Sequence, residues 1–347
     1  MNQHIAIVIN DISASGGTER IATFLSNQLS LLGNKVVLVS IVKNGEPFYN
    51  VDHGITISYV NSPSILKLGA HLKKLKCDSI ISISMGRLSF KLALLKRLFF
   101  IKSKLILSEH VGFEASSNPV RLMKLFSYAL ADQLVLLTKH DYDILESRTT
   151  TPVTVIPNPT LYPTMSISAL SKKKKVVLAV GRLNQQKNFS RLIYIWSYLP
   201  EVLRQHWTLK IVGDGEEKEM LNQLACQLFV SDSISFEPAS PQIDAEYKAA
   251  SILVMTSRYE GLPLVLIEAK SFGLPAVAFD CKTGPREIIN EGIDGFLVLD
   301  GDMEAYKDKL VYLMNSDDAR RNMQLAALSA AERYSPEIIV KQWMRLI

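Results

Sequence analysis

Cysteine is scarce in this chain, with three residues among 347, at Cys77, Cys226 and Cys281. They are far apart and odd in number, so the spacing predicts neither a disulfide framework nor a cysteine-based metal site. A reducing compartment is the simplest interpretation of this usage.

Long apolar runs are also absent. Nowhere do about 18 apolar residues follow one another, which argues against a membrane-spanning helix. The first residues lack the basic stretch and the apolar core of a signal peptide, so we expect a protein that is not exported. The dinucleotide motif G-x-G-x-x-G is missing as well, which makes a dinucleotide-binding protein a poor interpretation.

Short apolar runs that resemble buried strands alternate with amphipathic helical segments along the whole chain. This alternation is typical of parallel α/β sheets, and the length predicts two domains. Each half supplies enough strands for one doubly wound, Rossmann-like sheet. The predicted strands are IAIVIN, KVVLVSIV, ITISYV, SIISIS, KLILSEH, QLVLLT and TVIP in the first half, and VVLAVG, LKIVGDG, ISFEP, ILVMTS, PAVAFD and GFLVL in the second.

The most informative run begins at Ser257 and reads SRYEGLPLVLIEAKSFGLPAVAFDCKTGPREII. It places Glu260 just before a predicted helix and Glu268 within that helix. A helix N-terminus has free N–H groups and a positive dipole end, which suit a phosphate. Carboxylates beside such a site can accept hydrogen bonds from hydroxyls. A nucleotide-sugar, with hydroxyls on both sides of a diphosphate, fits this layout.

A second run, VVLAVGRLNQQKN, leads from a predicted strand into a polar loop with Arg182 and Lys187. Two cations at the carboxyl end of a strand can neutralise a diphosphate and stabilise its departure. Taken alone, they are equally well explained as ordinary loop cations. The two Glu residues and the two cations together favour the nucleotide-sugar interpretation.

The chain resembles the retaining glycosyltransferases of the GT-B fold, in the large bacterial family 4-like group that carries an E-x7-E motif. The resemblance covers nearly the whole length. Its motifs are GGTERIATFLSNQL, SEH, IPNP, GRLNQQKN, IVGDGEE, the E-x7-E run, TGPREII and GIDGFLV. It implies an acceptor-side domain over residues 1–160 with a returning C-terminal helix at 335–347, and a donor-binding domain over residues 161–334.

The resemblance also implies roles for individual residues. The expected catalytic residues are Arg182, Lys187, Glu260 and His110, with Glu260 and His110 near the donor sugar and the two cations on the diphosphate. Glu268 is expected to accept from both ribose hydroxyls. The expected donor-binding backbone comprises Gly16, Gly17, Gly261, Leu262, Pro263 and Leu264.

The implied activity is transfer of a hexose or N-acetylhexosamine from a nucleotide-sugar to a lipid-linked saccharide, in bacterial surface polysaccharide synthesis. The TGPREII run is similar to family members that use UDP-sugars, so uridine is the expected base. Two alternatives are a nucleotide-sugar 2-epimerase of the same fold and an inactive, membrane-associated partner in polysaccharide assembly. The presence of all four charged residues, Arg182, Lys187, Glu260 and Glu268, argues against the inactive partner.

No metal and no cofactor is expected, because the nucleotide-sugar is itself a substrate. Two Asp-x-Asp sequences could suggest a metal site. However, Asp141 and Asp143 follow a predicted helix start at Thr138, and Asp300 and Asp302 flank a turn glycine. We interpret both sequences as structural.

The net charge of +5 is unevenly distributed. Residues 1–160 hold 17 Lys and Arg against 11 Asp and Glu, and residues 65–104 hold ten cations against Asp78 alone. Basic, apolar-interleaved stretches of this kind can lie on an anionic membrane, although the apolar residues could instead face the domain core. No nucleic-acid recognition motif accompanies the charge. We therefore expect a cytoplasmic protein held peripherally at the inner face of the bacterial cytoplasmic membrane through residues 65–104.

Overall fold

The structure is a computed structural model that describes residues 2–62, 64–84, 86–240 and 242–347. The chain divides into two compact units, one of Met1–Asn158 with Pro336–Ile347 and one of Pro159–Ser335. Across the described ranges, no helix combines the length and the apolarity needed to cross a bilayer.

The described part of the first unit contains one parallel sheet of seven strands in the order β3-β2-β1-β4-β5-β6-β7. The strands are β1 His4–Asp11, β2 Lys35–Val42, β3 Thr56–Tyr59, β4 Ser79–Ser84, β5 Lys104–Glu109, β6 Gln133–Leu136 and β7 Val153–Val155. Before the chain enters the second unit, the helices of the first unit are α1 Gly17–Leu31, α2 Ile65–Leu75, α3 Arg87–Leu98, α4 Asn118–Tyr128 and α5 Lys139–Leu145.

The described part of the second unit contains a parallel sheet of six strands in the order β10-β9-β8-β11-β12-β13. These strands are β8 Val176–Val180, β9 Thr208–Val212, β10 Ile234–Glu237, β11 Ile252–Met255, β12 Ala276–Asp280 and β13 Gly295–Leu299. Its helices are α6 Phe189–Ser197, α7 Glu201–His206, α8 Lys218–Gln227, α9 Asp244–Ala249, α10 Leu264–Ser271, α11 Pro285–Ile288, α12 Met303–Asn315 and α13 Asp317–Ala331.

Central strands of both sheets are apolar on both faces. Residues 5–8 of β1 and 177–179 of β8 are 0% exposed, so successive side chains, which point to opposite faces, are buried in each strand. Such β-branched runs fit a pleated strand that helices cover on each side. The predicted fold of two doubly wound parallel sheets is confirmed, with the predicted seven and six strands.

The last helix, α14 Pro336–Met344, packs against α1 and belongs to the first unit. Its inner face buries Ile339, Val340 and Trp343. A proline at the first helical position suits this start, because its fixed φ is already helical.

Residues 160–175, which have the composition of a linker, are packed against the second unit. Leu170 is buried there, the Met165 N–H donates to the Ser271 carbonyl at 2.7 Å, and the Thr160 and Ser271 hydroxyls are hydrogen-bonded at 2.7 Å. These bonds satisfy polar groups that a free linker would expose to water, so the segment is a fixed part of that unit.

In each sheet the order of connections reverses at one place, between β1 and β4 in the first and between β8 and β11 in the second. In open parallel α/β sheets, ligands bind beyond the carboxyl ends of the strands at such a reversal. One glycine shapes this edge in the second unit. A Cβ on Gly213, which follows β9, would lie 1.9 Å from the Gly181 carbonyl oxygen, which follows β8. Only glycine permits that approach.

Candidate functional site

Two loops at the carboxyl ends of β8 and β11 bring Lys187 and Glu260 together. The Lys187 ammonium lies 2.6 Å from Glu260 Oε1, and both side chains are largely buried. The strands are direct neighbours at the connection reversal, which explains why loops 73 positions apart in the chain converge here. The Thr256 hydroxyl strengthens the junction by donating to the carbonyls of Lys187 and Asn188, each at 3.2 Å.

Arg182 occupies the same loop as Lys187 but has a different environment. Its side chain is exposed, and within the described ranges it forms no ion pair. The structure therefore provides one cation already neutralised by a carboxylate and one cation open to solvent. An incoming dianion can interact with both.

The turn that leads into α10 is held by a second loop. The Thr283 hydroxyl donates to the Glu260 carbonyl. Gly284, at φ +95°, packs so closely that a Cβ would lie 2.6 Å from the Gly261 carbonyl oxygen. Only glycine suits that combination of φ and space. The TGPREII motif thus buttresses Gly261 and Leu262, whose N–H groups precede the positive end of α10.

Pro263 keeps its predicted place in the donor-binding turn, but it cannot be one of the N–H donors. Pro263 has no N–H, so it cannot hydrogen-bond a phosphate. It instead precedes the first residue of α10 and accepts from the Leu266 N–H at 3.1 Å. Leu264 begins the helix, where first-turn N–H groups have no partner within the helix.

Glu268 is 1% exposed within α10 and is oriented by an aromatic partner that the sequence analysis missed. The Tyr247 hydroxyl donates to Glu268 Oε2 at 2.8 Å. The Tyr247 ring stacks on Phe272, with centroids 5.4 Å apart and planes 12° from parallel. Tyr247 lies in α9, and nothing in the local sequence distinguishes it from an ordinary core aromatic.

In the first unit, His110 follows β5. Its backbone N–H donates to the Ser84 carbonyl at 2.9 Å, and its ring Nε2 lies 3.1 Å from the Ser108 hydroxyl. His110 keeps some exposed surface, yet loss of hydration lowers its pKa to about 4, so the imidazole is neutral near pH 7. A neutral ring has one N–H donor and one acceptor nitrogen, which suits contact with hydroxyls.

Glu109 does not join this site. It is buried beside Lys124 at 3.0 Å and accepts from the Ser89 hydroxyl at 2.7 Å. Successive side chains of a strand point to opposite faces, so β5 directs Ser108 and Glu109 to different sides. Glu109 therefore serves the interior of the unit.

Gly16 and Gly17 lie after β1, where the connections of the first sheet reverse. Gly16 caps α1 in an extended conformation, and its carbonyl accepts from the Arg20 N–H at 3.2 Å. Arg182, Lys187, Glu260 and the Gly261 turn thus lie at the carboxyl edge of the second sheet. Gly16, Gly17 and His110 lie at the corresponding edge of the first.

The Asp-x-Asp sequences have structural roles. Asp141 accepts from the Phe113 N–H and from the Thr138 hydroxyl, both at 2.9 Å. The Asp302 side chain caps α12 by accepting from the Ala305 N–H at 2.9 Å. Among the residues that the structure describes, no group of three or more His, Cys, Asp or Glu side chains could hold a metal ion. Metal-independent activity stays a prediction.

Comparison with known proteins identifies relatives over nearly the whole chain. Residues 164–329 match the family model of glycosyl transferases group 1. The chain is 41% identical to an amylovoran biosynthesis glycosyltransferase of Erwinia amylovora, covering 98% of each chain. It is 27% identical to a Campylobacter jejuni N-acetylgalactosaminyltransferase named for an undecaprenol-diphosphate-linked saccharide, covering 96% of this chain and 95% of that protein.

Solved structures give the same fold. The HepE protein of Anabaena, crystallised with UDP and glucose, aligns with a TM-score of 0.83 over 99% of each chain at 17% identity. Sucrose-phosphate synthase of Thermosynechococcus elongatus aligns equally well, also at 0.83. From its sequence relatives and its two parallel α/β units, the chain belongs to the group 1, family 4-like glycosyltransferases and has the GT-B fold.

Proposed function

We propose that this glycosyltransferase moves a hexose or an N-acetylhexosamine from a UDP-sugar to a lipid-linked saccharide, with retention at the anomeric carbon and without a metal. The observation that carries the proposal is the 2.6 Å contact of Lys187 with Glu260 beside the exposed Arg182. Two cations and a carboxylate at one strand edge match a diphosphate joined to a sugar.

Each group has a distinct chemical task. Arg182 and Lys187 stabilise the charge that develops on the diphosphate as its bond to the sugar breaks. Glu260 accepts from hydroxyls of the donor sugar, and Glu268 accepts from the ribose. The Gly261, Leu262 and Leu264 N–H groups supply further donors near the positive end of α10.

Retention follows if the acceptor hydroxyl attacks from the face that the diphosphate leaves. The bond from the anomeric carbon to the diphosphate breaks first in an oxocarbenium-like state, and its electron pair remains on the phosphate oxygen. The acceptor oxygen then bonds to the same face, and its proton passes to that phosphate oxygen. No carboxylate nucleophile is required. His110, neutral near pH 7, contacts the donor sugar in this account.

Relatives support the donor and the acceptor. The Erwinia protein is named for polysaccharide biosynthesis, the Campylobacter protein for a lipid-linked saccharide, and the HepE crystals contain UDP. We extend these properties to the present chain and expect it to serve bacterial surface polysaccharide synthesis at the inner face of the cytoplasmic membrane.

The first unit offers a surface for that location. Helices α2, α3 and α4 contain no Asp or Glu. Of the ten cations within residues 65–104, Lys96 pairs with Asp132, and no carboxylate in the described part of the chain pairs with the others. Unpaired cations on adjacent helices are attracted to anionic lipid.

The structure also sorts the apolar residues of this segment. Leu68, Leu72, Leu88, Leu92 and Leu95 are buried, as expected if the helices cover the sheet. In contrast, Leu98 is 56% exposed and Phe100 is 83% exposed. Leu66 and Leu94 are exposed as well, at 57% and 37%, so these two side chains are available to a lipid surface together with Leu98 and Phe100.

A panel of nucleotide-sugars tests the donor assignment. Thermal unfolding is measured with UDP-, GDP- and ADP-sugars, because a bound ligand stabilises the folded state by mass action. We expect the midpoint to rise with a UDP-sugar and to rise less with the others. A rise that is larger with GDP- or ADP-sugars would refute the UDP assignment.

A further inference from the structure

Arg258 joins the two loops that carry the charged pair. It follows β11 and lies two residues before Glu260. Its N–H donates to the Gln186 carbonyl at 2.8 Å, and its Nε donates to the Gln185 carbonyl at 3.1 Å. Its terminal nitrogen donates to Asn188 Oδ1 at 3.4 Å. Arg258 therefore binds the loop on both sides of Lys187.

The Lys187 loop also donates a hydrogen bond to the Glu260 loop. Gln186 Nε2 donates to the Tyr259 carbonyl at 3.0 Å. Within the loop, the Lys187 N–H donates to Asn184 Oδ1 and the Asn188 N–H donates to the Asn184 carbonyl, each at 3.2 Å. The loop of residues 184–188 is thus folded on itself and attached to the Thr256–Glu260 loop.

The backbone near Lys187 makes this attachment consequential. Asn188 adopts a left-handed conformation at φ +53° just before α6, a region that asparagine enters more readily than most non-glycine residues but that is still less populated than helical or extended backbone. A loop held in such a conformation needs support from its surroundings. The bond from Arg258 to the Asn188 side chain contributes that support.

We propose that Arg258 is a positioning residue, which presents the Lys187 ammonium to the diphosphate by fixing the Gln185–Asn188 loop against the Glu260 loop. The inference rests on the proposed role of Lys187 as a cation for the diphosphate. Arg258 is exposed and does not itself touch the reacting atoms in this account. Its guanidinium suits the task because it is planar, rigid and always charged.

A loop that leaves its position reduces the fraction of molecules competent to bind and react, and apparent affinity falls by that fraction. Misplacement of a catalytic group by about 1 Å can lower the rate by up to about 100-fold. Replacing Arg258 with Met keeps an unbranched, mostly aliphatic side chain and removes both side-chain hydrogen bonds. We expect kcat/KM to fall by about 10-fold or more through displacement of Lys187.

A double-mutant cycle tests whether Arg258 acts through Lys187. Transfer is measured for the wild type, Arg258→Met, Lys187→Met and the double variant. If Arg258 works by positioning Lys187, its replacement has almost no further effect once Lys187 is absent. Losses that multiply in the double variant would overturn the inference, since they would show independent roles.

Hydrogen exchange of the ligand-free protein supplies a readout that does not depend on transfer. We expect Arg258→Met to speed exchange at the Lys187 and Asn188 amides about 10-fold, because the loop opens more often. Arg204→Met is the matched control. Arg204 lies on α7, and its Nε also donates to a backbone carbonyl, that of Leu199, at 3.2 Å. Unchanged exchange at these two amides would overturn the inference.

The two tests separate this inference from the proposed function. Should the wild type neither bind UDP nor transfer a sugar, the proposed function fails, and with it the assigned role of Lys187. Should the wild type be active and Arg258→Met match it in both exchange and transfer, only the positioning role fails.

Discussion

Lys187 and Glu260 form an ion pair at 2.6 Å, with side chains that are 16% and 8% exposed. A diphosphate that binds Lys187 must compete with this carboxylate. In the proposed account the pair holds the cation in place, and donor binding either exchanges one anionic partner of Lys187 for another or adds a second.

Replacing either cation should impair catalysis, but with different effects on stability. Lys187→Ala and Arg182→Ala should each lower kcat by about 100-fold, because each cation stabilises charge on the leaving diphosphate. Lys187→Ala should also lower the unfolding free energy by about 1–3 kcal/mol, since it leaves Glu260 buried without its cation. Arg182→Ala should leave stability nearly unchanged. Steady-state kinetics and urea unfolding measure both effects, and equal destabilisation by the two variants would contradict this account.

Nucleotide affinity should depend on Glu268 and on its aromatic partner. Glu268→Ala should weaken binding of free UDP by about 1–3 kcal/mol, the typical effect of losing hydrogen bonds to a charged group. Tyr247→Phe retains the stacking on Phe272 and removes only the hydroxyl that donates to Glu268. Tyr247→Phe should weaken the binding of free UDP by less than Glu268→Ala does, and calorimetric titration of both variants measures the difference.

Glu260→Gln provides the contrast to those two variants. In our account Glu260 contacts the sugar and not the nucleotide, so this variant should transfer poorly and still bind free UDP almost normally. Unchanged UDP affinity in Glu268→Ala would remove that residue from the ribose site.

His110 should make folding stability depend on pH. Its pKa is lowered from 6.5 to about 4 by burial, so between these values the unfolded chain binds the proton and the folded chain does not. This contribution is complete above about pH 6.5 and is lost as the pH falls toward 4. His110→Gln should therefore lessen the loss of stability between about pH 7 and 5, by up to about 2 kcal/mol. Thermal unfolding at both pH values measures this difference in stability, and an identical pH dependence in the variant would contradict the lowered pKa of His110.

Membrane docking should be electrostatic and should depend on the first unit. Sedimentation with anionic liposomes should exceed sedimentation with neutral liposomes and weaken near 1 M salt, where screening lengths fall to about 3 Å. The test variant carries Glu at four exposed cations, and Lys96 is left intact because it pairs with Asp132. The replaced residues are Lys73, Lys74, Arg97 and Lys102.

The control variant carries the same four charge reversals on the second unit, so that net charge changes equally. Its positions are the exposed residues Lys172, Lys174, Lys175 and Arg321. Equal loss of binding in both variants would indicate a nonspecific effect of net charge. Binding that ignores lipid charge, salt and the first set would exclude the proposed surface.

The fold could be predicted from sequence because strand runs such as IAIVIN and VVLAVG are continuous, apolar and separated by helical patterns. The candidate site could be predicted only as a set of residue types. The pairing of Lys187 with Glu260 depends on β8 lying beside β11, and the local sequence of a strand does not determine which strand lies beside it. Tyr247 was missed for the same reason, since its partner lies 21 positions away on another helix.

Pro263 shows a different limit: a family motif gives the positions that surround a ligand, but a proline among them has no N–H to donate. The basic segment shows a further limit of sequence reasoning. Its pattern of lysine and leucine fits both a core-facing helix and a lipid-facing one. The structure divides the apolar residues between buried positions such as Leu72 and exposed ones such as Phe100.

The most direct test of the central claim is nuclear magnetic resonance of the transfer reaction. The purified protein is supplied with α-linked UDP-sugars and short lipid-linked saccharides in the presence of a metal chelator, and the anomeric signal of the product is recorded. We predict release of UDP and an α-linked product from the wild type, with both strongly reduced in Glu260→Gln. A β-linked product, or transfer that requires an added divalent metal, would contradict the account.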